Sequence, residues 1–262
     1  MQKMVKQMKG YTDEQAIPVG KRLDMANSRL RSEISSLKEI RVAVYTIWSI
    51  CNLHHFFCEQ AIYMNSLLYL LNYFMRISDP NDDWNQNQTA QIMHNVKQIV
   101  EIGVQAIYEM LKCSTARTKE HLDKCVTSNT VICIANFMTT YHNYPMIVTT
   151  CMKILRRFKK IEPNYDHFVV IPELLDFAET SILNLPPDDM RVKEFEKLRK
   201  VLSLHENLLL VDLTRNQYQR DLVIAQYTTS QLLEISQSTV WNKLSPETTR
   251  ALLQHSCKLN NQ

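Results

Sequence analysis

Hydrophobic positions recur every seven residues from Leu23 through Leu30, Leu37, Val44 and Cys51 to Cys58, with Ile34, Ile47 and Trp48 filling the turns between. This is a helical period. Neither proline nor glycine interrupts residues 21–79, so the pattern predicts one long N-terminal helix that turns near residues 54–59. A packed helix is preferred over a dimeric coiled coil, because the e and g positions carry no systematic charge pairing. Residues 78–88 are polar and turn-forming. Beyond them Ile92, Val96, Ile99, Val100, Gly103, Ile107, Met110 and Leu111 trace a second stripe at three and four spacing. Further helices are predicted over 131–141 and from Pro145 to about residue 161, where Glu162-Pro163-Asn164 breaks the chain. Another is predicted over 171–185, stopped by Pro186-Pro187-Asp188-Asp189, followed by two between 191 and 235. Ser245-Pro246-Glu247 opens the last, giving about nine to eleven helices in all.

One phrase occurs twice, in residues 43–71 and 148–175: an amphipathic helix, a short polar break, then a leucine-crowded helix. In both copies the two helix centres are about 17 residues apart, the arrangement expected of stacked helical repeats. The expected fold is therefore all-α, an armadillo/HEAT-like right-handed helical solenoid with a long N-terminal helix. Residues 1–20 are expected to form a basic N-terminal segment, and 21–262 a single irregular helical domain.

Composition narrows the chemistry. Glycine occurs only at 10, 20 and 103, too rarely for a hairpin-rich β fold, and neither GxGxxG nor GxxxxGK[ST] is present. A net charge of +3 is too slight for a nucleic-acid-binding protein. The seven cysteines lack a CxxC pair and sit among apolar helical residues, as reduced thiols of a cytosolic or nuclear protein do. No signal peptide and no apolar run of about 20 residues is seen, so neither secretion nor membrane spanning is expected.

No convergent catalytic set can be assembled, and no enzyme activity, cofactor or metal is expected. His54, His55 and Cys58 lie close together, but no second ligand pair at matching spacing completes a zinc site. Asp82-Asp83 and Asp188-Asp189 flank prolines, where turn and cap roles account for them. The strongest local contact candidate is Lys153, Arg156, Arg157, Lys159 and Lys160, a run without an acid on an amphipathic helix. It reads as a solvated basic face over a core-facing apolar one, as a contact for acidic segments such as tubulin tails, or as a calmodulin target. Three lysines and three methionines within the first nine residues make a second, calmodulin-type candidate.

Ala43, Ile47, Trp48, Cys51, Asn52 and Leu53 resemble the first part of an armadillo repeat, and Ile171-Pro172-Glu173-Leu174-Leu175 resembles its I-P-x-L-L continuation. Trp48 and Asn52 are similar to the WxxxN pair with which importin-type armadillo proteins hold extended peptides. Only one such pair is present, so packing is the competing reading.

Over residues 21–180 the order of the pieces resembles the C-terminal region of the abnormal spindle (Asp/ASPM) family. The likeness rests on GKRLDMANSRLRSEI leading into a helix, and on HLDKCVTSNTVICIANFMTTYHNYPMIVTTCMKILRRFKKIEPNYDHFVVIPELLDFAE. It implies a non-enzymatic interaction domain that helps organise microtubule minus ends and spindle poles in mitosis. The implied partners are microtubules or spindle-pole proteins, with calmodulin bound through neighbouring IQ motifs. The implied locations are cytoplasm, cytoskeleton and spindle, with the nucleus in interphase. Neither a complete IQ motif nor a calponin-homology domain is present in this sequence. The alternative is an armadillo-type adaptor for an extended peptide cargo, as in nuclear transport.

Overall fold

The computed structural model describes residues 13–32, 35–78, 90–113, 115, 118–161, 177, 181–182, 185–202, 208–209, 212, 217–238 and 240–260. All regular structure among the described residues is helical. The chain forms two compact units, residues 1–165 and 166–262. The sequence boundary expected at residue 20 falls inside the first helix, α1 (Asp13–Arg31), which carries Pro18 within it.

The single long N-terminal helix is not formed. Its place is taken by α1, α2 (Leu37–Leu53), α3 (His55–Tyr63) and α4 (Ser66–Ser78). The turn expected near residues 54–59 is formed at His54, whereas the breaks at Ser36 and Asn65 are made by a side chain and a backbone angle that neither proline nor glycine signals. Ser36 starts α2 with a capping box: its hydroxyl accepts from the Glu39 N–H at 3.4 Å, and the Glu39 carboxylate accepts from the Ser36 N–H at 2.8 Å. His54 is extended at φ −165° and its Nδ1 accepts from the Phe56 N–H, so it ends α2 and caps α3 at once. Asn65 turns the chain between α3 and α4 at φ 59°, a left-handed angle that asparagine tolerates better than most side chains. The heptad itself still marks the core, since Leu23, Leu30, Val44, Cys51 and Cys58 are all buried.

The remainder of the first unit comprises α5 (Ala90–Lys112), α6 (Lys119–Asp123), α7 (Ser128–Thr140) and α8 (Pro145–Ile161). Packing follows a succession. α2 lies on α5 and α5 on α8, while α3 meets α6 and α4 meets α7; α1 covers α2 and α4. Helices α2–α4 are thus followed by a second set of three, each resting on its counterpart. The central α5 carries an apolar stripe from Ile99 onward: Ile99, Val100, Val104, Ile107, Met110 and Leu111 are fully buried, and each is worth about 1.5–3 kcal/mol on removal from water. Gly103 lets α5 approach the ring of Phe74, which packs edge-on against Phe137 at 5.0 Å. Polar ties fix α1 to α4 and its preceding turn: Asn27 donates to the Met64 carbonyl at 2.9 Å, and Arg76 donates to the Leu30 carbonyl at 2.8 Å.

In the second unit, α9 (Met190–Arg199) starts at Asp189, whose carboxylate accepts from the Arg191 N–H at 2.8 Å, as the acidic start after Pro186-Pro187 predicted. Then come α10 (Gln217–Ile224), α11 (Thr229–Gln237), a short 3-10 turn and α12 (Pro246–Asn260). Ser245, ahead of α12, donates its hydroxyl to Asp212 at 2.6 Å. Phe177 and Phe195 stack obliquely at 6.3 Å in this unit's core.

The predicted helix from Pro145 to residue 161 is formed as α8, and that over 131–141 as α7. Ile171-Pro172-Glu173-Leu174-Leu175, Glu162-Pro163-Asn164 and the basic, methionine-rich first nine residues lie outside the described residues, as do all but the first residue of the 78–88 loop. So does the greater part of the helix predicted over 171–185.

Candidate protein-binding groove

Helix geometry places residues i, i+3, i+4 and i+7 on one face, and two such faces meet between α1 and α2. On α1 the stripe is Arg22, Met25, Ala26 and Arg29; on α2 it is Thr46, Ser49, Ile50 and Leu53, flanked by Ala43 and Tyr45. The α2 wall is short. Ala43, Ser49 and Thr46 project little, and the Thr46 hydroxyl is turned back onto the Val42 carbonyl at 2.7 Å. An open groove of about 440 Å³ results, within the size range of ligand sites. Its floor is the buried pair Ala26 and Ala43 with Ile50, whereas Met25, Tyr45 and Leu53 at its margin are 61%, 53% and 61% exposed. An outward helix face normally carries polar residues, so three large apolar side chains gathered here mark a surface that water covers poorly.

The charge beside this apolar strip is of one sign. Arg22 and Arg29 stand two turns apart, about 10 Å along the axis, and among the described residues no carboxylate lines the groove. Among the described residues neither arginine forms a salt bridge. The acid that feels Arg29 is Glu39, held below the ordinary carboxylate range first by its bonds from the Ser36 backbone and hydroxyl, and less by the arginine.

Of the residues singled out by sequence, Trp48 and Asn52 stand on α2 but do not line this groove. The Asn52 amide donates to the Trp48 carbonyl at 2.9 Å, and the half-buried Trp48 ring leans on Tyr45 with centroids 5.5 Å apart. Lys153, Arg156, Arg157, Lys159 and Lys160 occupy α8. The apolar side of that helix, including Ile154, Leu155 and Phe158, is buried, so it is occupied by the core. Lys153 sits 5.7 Å from the Tyr108 ring centroid of α5. Lys153, Arg156, Arg157 and Lys160 share a face by spacing, and Lys159 falls beside it.

His54, His55 and Cys58 have local roles. His54 caps α3, His55 approaches Glu59 at 4.0 Å, and the Cys58 thiol donates to the Cys51 carbonyl at 3.0 Å. Among the described residues no group of three or more His, Cys, Asp or Glu side chains is placed to hold a metal ion, and no helix is long and apolar enough to cross a membrane.

Sequence reading passed over Arg22, Met25, Arg29 and Tyr45 as contact residues, and took Leu53 only as part of the armadillo-like pattern. A signal was present: each arginine immediately precedes a heptad leucine, and Met25, Val42, Tyr45 and Leu53 are large apolar residues off the buried stripe. Their convergence depends on where α1 ends and α2 begins, which the long-helix reading erased.

No protein-family model, curated protein or solved structure matches this chain.

Proposed function

We propose that this chain is a non-enzymatic protein-interaction domain of armadillo-like, right-handed solenoid form. It acts in a spindle-associated protein that helps organise microtubule minus ends and spindle poles. The observation that carries the binding role is the groove between α1 and α2, with Met25, Tyr45 and Leu53 exposed around an apolar floor. The succession of α2 on α5 and α5 on α8, with α3 on α6 and α4 on α7, supports the solenoid reading. The resemblance of residues 21–180 to the abnormal spindle family supports the cellular setting. Arg22 and Arg29 repel a basic cargo, which weighs against a transport adaptor for basic peptides.

The test is site-specific photocrosslinking in mitotic extract, with benzoylphenylalanine placed at Leu53 and, as a remote control, at the exposed Met146 of α8. Spindle-pole or microtubule-associated adducts are expected at Leu53 and not at Met146. Equal adducts at both positions, or none at Leu53, refute the binding role; Leu53 adducts confined to unrelated proteins refute the spindle setting.

A further inference from the structure

The groove's two stripes prescribe what fits between them. Along α1 the order is cation, apolar, small, cation, at i, i+3, i+4 and i+7. A helix laid into the groove is matched when it presents the same spacing with inverted charge: an acid at i, large apolar residues at i+3 and i+4, and an acid at i+7. Its apolar pair then covers Met25, Tyr45 and Leu53 and rests on Ala26, Ala43 and Ile50. Its two carboxylates meet Arg22 and Arg29.

We propose that the groove docks an acidic amphipathic helix of a partner protein through this acid–apolar–apolar–acid stripe. The inference rests on the groove being a partner site and adds its chemistry. Charge complementarity selects the occupant: both cations belong to one wall, no acid among the described residues lines the other, and the Glu39 carboxylate is engaged with Ser36 in the α2 cap. Arginine suits this task, since its planar fork takes a carboxylate bidentately. A basic helix meets two like charges, and a wholly polar acidic helix leaves the exposed apolar margin in water.

The experiment uses the full chain and a displayed library of alanine-based helices of about 16 residues, randomised at the four stripe positions. Selected peptides are then measured by fluorescence anisotropy. Acids at the outer positions and leucine, methionine or phenylalanine at the inner ones are expected to be enriched. Arg22→Glu and Arg29→Glu are each expected to weaken the selected peptides about tenfold or more, and added salt to weaken them further. Leu53→Glu puts an acid on the rim and removes apolar surface, and should cost at least as much. Arg22 and Leu53 are exposed, and circular dichroism checks that each variant keeps its helix content.

Absence of enrichment, enrichment of lysine or arginine at the outer positions, or affinity unchanged by all three substitutions overturns the proposal. Photocrosslinking at Leu53 separates the two failures. Adducts there without acidic selection leave the groove as a site and discard the acidic helix; no adducts and no selection discard both.

Discussion

Gly103 faces the ring of Phe74, and a methyl group added there would collide with it. The ring cannot retreat freely, because it is fully buried and held edge-on by Phe137. Gly103→Ala gains about 1 kcal/mol of helix propensity but overpacks a closed contact that costs about 1–3 kcal/mol, so a net loss is expected. Urea unfolding should show a lowered midpoint, with the loss relieved in a Phe74→Leu background. A midpoint raised by Gly103→Ala alone would sink this account. The glycine's place within an apolar helical stripe was legible in the sequence; the opposing ring was not, because Phe74 is remote along the chain. The cysteines were read more fully. Six are buried and Cys257 is exposed. Burial pushes the Cys125 thiol up to about 12, and it pushes Cys133 up to about 11 against the lowering bond from Ser78. A thiol-reactive dye at mildly alkaline pH should therefore label one equivalent rapidly and the other six only after denaturation. Rapid labelling of two or more thiols in the folded protein would show that this core opens.

At the scale of the element, the capping box at Ser36 separates α1 from α2 and so creates the two walls of the groove. Ser36→Ala should cost about 1 kcal/mol, measured by denaturant unfolding. Its partner Glu39 gives the cap a pH dependence of known sign. Its carboxyl is held below its ordinary 4.5, so its contribution is fully present above that value and is lost as pH falls through the lower folded-state value. The stability difference between the native chain and Glu39→Gln should stay constant from neutral pH down to about pH 5.5 and shrink below it. A difference that persists unchanged into acid would remove Glu39 from the cap. These caps also explain the misread helix. Leucine spacing reports which face is buried, and it did so across two breaks. Continuity depends on single bonds made by Ser36 and His54 and on the angle at Asn65, and residue types that occur freely inside helices announce these weakly.

For the whole molecule, residues 1–165 enclose a complete core: α5 is covered by α2, α3, α4 and α8, and α1 is fastened to α4 by Arg76. Expressed alone, this fragment should keep its helix content and unfold cooperatively in urea. A molten fragment with a broad transition would mean that its core is incomplete without residues 166–262. The helical class and the edges of α8 were legible because proline and apolar spacing mark them. The doubled phrase was informative as well. Its leading helices became α2 and α8, which pack on the same helix, α5. The intervening member of that succession went unrecognised because α5 carries no comparable leucine-rich phrase. The leucine-crowded half of the first copy is α4, and that of the second copy lies outside the described residues.

The packing of α5 has one more consequence. With α2 and α8 both laid against it, α5 has two of its flanks occupied, and neither is left to build a copy of the α1–α2 groove. Where a ladder of equivalent clefts multiplies affinity along an extended ligand, the cleft between α1 and α2 offers one seat. A titration of that unit with an acidic helix should saturate at one equivalent, and tethering two such helices in tandem should give no avidity within one molecule.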